Sequence, residues 1–150
     1  MKKLSDEQAK AEKIAKANSK RSEVNSKRSQ ISENKSKKNT VDRKIERLKA
    51  AKKEVENAIT AMKTQKRILL SNLQKFDSGK FSGERKDKYI EALDEAGNAI
   101  DKMIAKHEAN KLVIDAKITE LGGLSHSLDS IISILSDSIN FLLSEIATLI

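Results

Sequence analysis

A heptad register runs unbroken through more than fifty residues of this chain, and it constrains the fold more than any other feature. Counting from Val24, the a sites are Val24, Ile31, Lys38, Ile45, Lys52, Ile59, Lys66 and Leu73. The d sites three residues on are Lys27, Asn34, Val41, Leu48, Val55, Met62, Leu69 and Phe76. From Val41 to Phe76 every d site is apolar, while isoleucine and lysine alternate at a. A 4–3 spacing of this length predicts a coiled-coil seam on one long helix, with a polar residue at every second a position. Lysine stems lie along such a seam while their ammonium groups stay in water. There they set register more than they add stability.

The 150 residues include no Pro, no Trp, 5 Gly and only 3% aromatics, which excludes the turns and strands of a β-sandwich or barrel. With no Cys there is no disulfide framework and no thiolate zinc site. The strongest turn signal is Phe76-Asp77-Ser78-Gly79-Lys80-Phe81-Ser82-Gly83, near the middle of the chain. A second helix follows, its first turn carrying Glu84, and its stripe runs Tyr89, Leu93, Ala96, Ile100, Ile104, His107, Lys111, Ile114, Ile118 and Leu121. It continues as Ser125, Leu128, Ile132, Leu135, Ile139, Leu142, Ile146 and Leu149 across Gly122-Gly123, where a kink rather than a loop is expected because the register is kept. The expected fold is all-α: a long antiparallel two-helix hairpin, helices about 4–76 and 84–150, turn near 77–83, forming one elongated domain.

Charge is unevenly divided. Residues 1–80 hold 23 Lys/Arg against 10 Asp/Glu, a balance of +13, and residues 81–150 hold 7 against 12, a balance of −5. Opposite charge on two halves suits segments that fold onto each other, and self-neutralisation within a hairpin outweighs a nucleic-acid surface. The first forty residues are basic and poor in large apolar side chains, with the repeat Asn18-Ser19-Lys20-Arg21-Ser22 and Asn25-Ser26-Lys27-Arg28-Ser29. They predict a helix of weak intrinsic propensity, a frayed arm helped by pairs such as Glu12–Lys16 and Glu23–Lys27.

Residues 124–150 are the reverse: no Lys or Arg, and 14 of 27 positions apolar. Ile131, Ile134, Phe141, Leu143 and Ile150 stand off the main stripe. In a hairpin bent near residue 80 this wide apolar surface meets residues 10–36, the least apolar part of the chain. Apolar surface stabilises when buried by roughly 25 cal/mol per Å², so the surplus predicts a helical partner or a second copy. Leu128, Ile131, Ile132, Leu135, Ile139, Leu142, Ile146 and Leu149 are the expected contact residues. Asp137 and Glu145 interrupt the stretch and argue against a transmembrane span. No apolar run follows Met1-Lys2-Lys3-Leu4, so no Sec-type signal peptide is expected.

No catalytic constellation stands out. His107 and His126 are not in metal-ligand spacing, and Ser125-His126-Ser127 projects its side chains to different helix faces. Gly79 and Gly83 lack the strand and flanking Lys-Ser/Thr of a phosphate loop. A non-enzymatic protein without cofactor or metal is expected.

The hinge resembles a known pattern. Phe81-Ser82-Gly83 followed by Glu84-Arg85-Lys86-Asp87-Lys88-Tyr89 is similar to the Trp-x-Gly turn of WXG100 helical hairpins, with Phe for Trp. The length of both helices resembles more closely the small helical proteins encoded beside LXG toxins in Gram-positive bacteria. That resemblance implies a WXG100-like hairpin, with Phe81 and Gly83 shaping the turn. It implies an adaptor that is made in the cytoplasm and binds the helical LXG domain of a toxin, alone or with a second small helical protein. Export by a type VII secretion system would follow. Phe141-Leu142-Leu143-Ser144-Glu145 is similar to the Tyr-x-x-x-Asp/Glu export signal of that group, Phe141 and Glu145 standing at its two ends, although Phe141 is also expected in the core. The alternatives are a basic coiled coil binding nucleic acid or an anionic membrane through residues 10–53, and a self-associating structural coiled coil.

Overall fold

The computed structural model describes residues 2–76 and 83–149, with side chains described for 5–75 and 83–149. It is an all-α helical hairpin of two helices, α1 (Lys2–Phe76) and α2 (Glu84–Leu149). The predicted turn lies mostly outside the described residues, Phe81 included. Gly83 marks its end, with φ of 101° and a carbonyl that accepts a 3.2 Å bond from the Asp87 amide. An L-residue with a side chain is strained at that angle, so glycine is required by conformation there. Glu84 and Asp87 in the first turn of α2 complement its dipole.

The hairpin divides into two compact units, Met1–Lys44 with Leu121–Ile150, and Ile45–Glu120. In the terminal unit, Val24, Ile139, Leu142 and Ile146 form a buried cluster with Ile31 packed against it. Ala17, Val41, Leu121 and Leu128 are buried as well. The terminal unit thus holds most of the buried residues, and in the arm that composition marks as sparse the two that are buried, Ala17 and Val24, fall on the seam, whereas Ile14 lies off it and is 53% exposed. Place on the seam counts for more than number. The register also extends upstream of Val24 to Ala17 and Lys20, and the helix of the basic arm runs from Lys2.

In the middle unit Ile59 is buried and the other described a and d residues are half-buried. At the start of α2 the half-buried residues are Lys86, Ile90, Leu93, Ala96, Gly97 and Ile100, whereas Tyr89 is exposed. The expected Tyr89–Leu93–Ala96 stripe is therefore corrected at its first position. The regular 4–3 step carried back from Ile104 and Ile100 arrives at Gly97, Leu93 and Ile90, and steric fit of the seam follows that step. At Gly97 the missing side chain leaves a groove lined by Leu69, Leu73 and Leu93.

Lysines on the seam, three at a and Lys20 at d, are paired across the hairpin. In the middle unit Lys52 Nζ lies 2.7 Å from Asp115 and Lys66 Nζ 2.6 Å from Asp101, with Lys111 on α2 3.2 Å from Glu56. In the terminal unit Lys38 lies 3.7 Å from Asp129, and Lys20 pairs with Glu145. Lys38, Lys52 and Lys66 follow at steps of 14 residues, and so do Asp129, Asp115 and Asp101.

The glycines separate two effects. Within α2 a methyl group at Gly97, Gly122 or Gly123 would meet nothing within 4 Å, and the helix continues through all three, so the loop alternative at Gly122-Gly123 does not arise. Gly97→Ala is expected to stabilise the protein by about 0.5–1 kcal/mol through helix propensity, and Gly83→Ala to destabilise it by about 1–2 kcal/mol through backbone strain. Urea unfolding followed by circular dichroism measures both. A further test of the pairing is Lys52→Asp, expected to lower the melting temperature, with Asp115→Lys restoring most of the loss in the double variant and less so at high salt.

Candidate partner-binding face

Residues 121–149 of α2 carry two adjacent apolar stripes. The first is the seam, Leu121, Ser125, Leu128, Ile132, Leu135, Ile139, Leu142, Ile146 and Leu149, each buried or half-buried against α1. The second precedes it by one residue at each step and is therefore turned by about 100°. It holds Leu124, Ile131, Ile134 and Phe141, exposed by 47, 43, 67 and 64% respectively. Leu143 lies on the opposite flank, 41% exposed.

The expected contact residues are divided by this arrangement. Leu128, Ile139, Leu142 and Ile146 are covered by the chain's own first helix, and Ile132, Leu135 and Leu149 are half-buried beside them. Of the eight, Ile131 alone lies on the exposed stripe. Phe141, expected in the core, is on the surface, because its position falls one step outside the seam. Ile134, Leu124 and Phe141 are the residues that counting along a single stripe does not assign to the face. Their signal in the sequence is a second 4–3 spacing offset by one from the first.

A polar cluster stands beside this face. Ser125, at a seam position, donates a 2.7 Å bond to Asp42, and Lys38 donates a 2.9 Å bond to the other oxygen of the same carboxylate. The Ser125 hydroxyl first, and then the Lys38 ammonium, hold the Asp42 carboxyl below its ordinary value, against partial desolvation. Lys38 is raised, chiefly by its bond to Asp42 and further by Asp129, and Lys52 is raised chiefly by Asp115. Glu145, the acidic end of the export-like segment, is held by Lys20. Lys37 and Thr40 of α1 and Leu124 and Leu128 of α2 line one shallow groove, which places the exposed stripe and this flank of α1 on the same side of the terminal unit.

His107 is half-buried with Nδ1 2.9 Å from the Met103 carbonyl, and His126 is exposed. Among the described residues no group of three or more His, Cys, Asp or Glu is placed to hold a metal ion. The helix α2 also contains an 18-residue stretch of mean hydropathy 1.3, 17% of it buried, long and apolar enough by composition alone to cross a membrane. Asp137 and Glu145 thus fail to remove that possibility on composition. The ion pair of Glu145 and the seam contacts of Ile139, Leu142 and Ile146 are what a span would have to give up. No protein-family model matches the chain, and no curated protein matches it.

The two stripes predict opposite responses to charge. Ile139→Asp buries a carboxylate in the seam and is expected to abolish cooperative unfolding. Ile134→Asp, on the exposed stripe, is expected to leave helicity and melting temperature almost unchanged. Even Ile139→Ala is expected to cost about 2–5 kcal/mol. The polar cluster gives a pH dependence of known sign. With its folded pKa lowered, Asp42 stabilises above the ordinary carboxyl value near 3.8 and that contribution is lost as pH falls through the folded value. With theirs raised, Lys38 and Lys52 stabilise below the ordinary value near 10.5 and that contribution is lost as pH rises through the folded one. The melting temperature is therefore expected to be flat around neutrality and to fall at both extremes, with a shallower acid limb in Asp42→Asn.

Proposed function

We propose that this protein is a non-enzymatic helical adaptor that packs the exposed stripe of its terminal unit against the helices of a protein partner. The observation that carries the reading is the stripe itself. Leu124, Ile131, Ile134 and Phe141 present apolar surface in a segment, residues 124–150, that has no Lys or Arg to solvate it. An amphipathic helix laid along this stripe buries those side chains, which stand 7, 3 and 7 residues apart on one helix face. The resemblance at Phe81–Tyr89 makes the helical LXG domain of a secreted toxin the partner of choice, with export by a type VII secretion system as the purpose of the complex. The basic flank of α1, with Lys37 beside the groove, would steer an acidic partner toward it.

The alternative, a nucleic-acid or anionic-membrane surface on residues 10–53, has less to draw on. Lys20, Lys38 and Lys52 of that stretch are committed to carboxylates of α2. It predicts affinity that falls steeply with salt, unlike apolar helix packing.

Co-expression with the helical domain of an LXG protein encoded beside this gene is the test. A defined heteromer on size exclusion with light scattering is expected. Ile134→Asp with Phe141→Asp should abolish it while the isolated chain keeps its helicity. Failure to form any complex, or binding that survives the double substitution, would overturn the assignment.

A further inference from the structure

The exposed stripe reads the same in both directions. Between Glu120 and Glu145, each of which is paired within its own chain by Lys117 and Lys20, its six positions are Leu124, Ser127, Ile131, Ile134, Ser138 and Phe141, separated by steps of 3, 4, 3, 4 and 3 residues. Large, small, large is followed by large, small, large, about a midpoint between Ile132 and Ser133. A second α2 laid antiparallel on the first sets Leu124 opposite Phe141 of the second copy, Ser127 opposite Ser138 and Ile131 opposite Ile134. Every bulky side chain then meets a bulky one, and the serines meet where the backbones approach closest. The Ser127 hydroxyl already donates to the Gly123 carbonyl at 3.0 Å, so covering it strands no donor.

The neighbouring helix offers charges that suit the same two-fold. The Lys38–Asp129 and Asp42–Ser125 contacts show which part of α1 lies level with the stripe, and its midpoint corresponds to residues 34–35. Lys37 borders the groove and exposed Glu33 lies one turn before it on α1, the two standing unequally, by about one residue, on either side of that point. A symmetric pairing brings Glu33 of each copy toward Lys37 of the other. The stripe is turned by about 100° from the intramolecular seam, the angle at which a helix of a square four-helix bundle meets its two neighbours.

We propose that the terminal unit forms a two-fold symmetric homodimer, α2 antiparallel to α2, closed by this palindromic stripe. The interface is isologous, the only kind a two-fold axis allows, and a self-complementary sequence is what it requires. The inference rests on the same face as the adaptor reading and supplies that face with an occupant when the helical partner is absent. A partner would then have to displace the second copy. Six positions spanning about 25 Å of helix make an interface at the small end of the stable range, so the dimer is expected to dissociate on dilution.

The native chain has no cysteine, which makes the register directly testable. Light scattering on the full chain at on the order of 100 µM is expected to give twice the chain mass, a concentration chosen to saturate a micromolar complex. Leu124→Cys and Phe141→Cys are then oxidised separately and as an equal mixture. In the antiparallel dimer each cysteine lies about 25 Å from its own counterpart, too far for a disulfide, so only the mixture should form a covalent dimer. Ile131→Asp with Ile134→Asp should give a monomer of unchanged helicity. A monomeric native chain, covalent dimers from either single variant alone, or a dimer that survives the double aspartate would each overturn the proposal. The two readings also fail separately. A monomer that captures the LXG helical domain removes this inference and keeps the adaptor, and a palindromic dimer that captures nothing does the reverse.

Discussion

Lysine at alternate a positions, each meeting an aspartate of the opposite helix, is the constraint on which the rest of the hairpin depends. Apolar residues on a seven-residue period specify that two helices pack, but they tolerate a slip of one heptad. The ion pairs do not. With Lys38, Lys52 and Lys66 facing Asp129, Asp115 and Asp101, a slip by seven in one direction sets Lys52 level with Gly122, and in the other direction Lys38. Either way an ammonium group loses its carboxylate. These half-exposed pairs contribute little to stability in themselves, and their effect lies in the difference between alternatives, which is where polar a-site residues act in coiled coils generally.

Register, once set, decides what α2 has left to offer. Because Lys38 and Asp42 sit level with Asp129 and Ser125, the sparse apolar residues of the arm, Ala17, Val24, Ile31 and Val41, come to lie against the richest part of α2. Each is small or β-branched apart from its neighbours of polar type, and between them they cover one stripe only. Two of the charges bordering the second stripe are balanced within the chain, Glu145 by Lys20 and Asp129 by Lys38. What remains exposed on the stripe is apolar, with Lys37 of α1 beside it.

The seam was legible in the sequence because period and position carry it: every described a and d residue from Val24 to Leu73 is at least half-buried. Legibility failed where composition was allowed to stand in for geometry. Tyr89 is a side chain of the right kind, although the regular step leads to Ile90. The wide apolar face of residues 124–150 is legible, with Ile131, Ile134 and Phe141 off the main stripe, but composition does not say which stripe the hairpin itself covers. Leu128, Ile139, Leu142 and Ile146 therefore stood as partner contacts when the intramolecular seam consumes them. A helix with apolar residues at two offsets of the same period does not declare which offset faces its own hairpin. That depends on the other helix, here on where Val24 and Val41 sit relative to Lys38. Of the motif that carried the family resemblance, Gly83 is required at the turn by its backbone angle, and Phe81 lies outside the described residues.

The surroundings of the exposed stripe bear on how it would choose among occupants. Lys37 beside the groove would steer encounter, while close-range selection falls to shape: the sequence of large and small residues and the distance at which helix backbones can approach. Ser127 and Ser138 set that distance, since a bulky residue at either would hold a facing helix off the isoleucines. A second copy satisfies the pattern by symmetry. A foreign helix must instead match it with bulky side chains at the four large positions and small ones at the two serines, and it must do so with enough surplus to replace the copy. Affinity for a partner and affinity for self are thereby coupled through one set of side chains, so that strengthening the stripe for one occupant strengthens it for the other, unless the change breaks the palindrome.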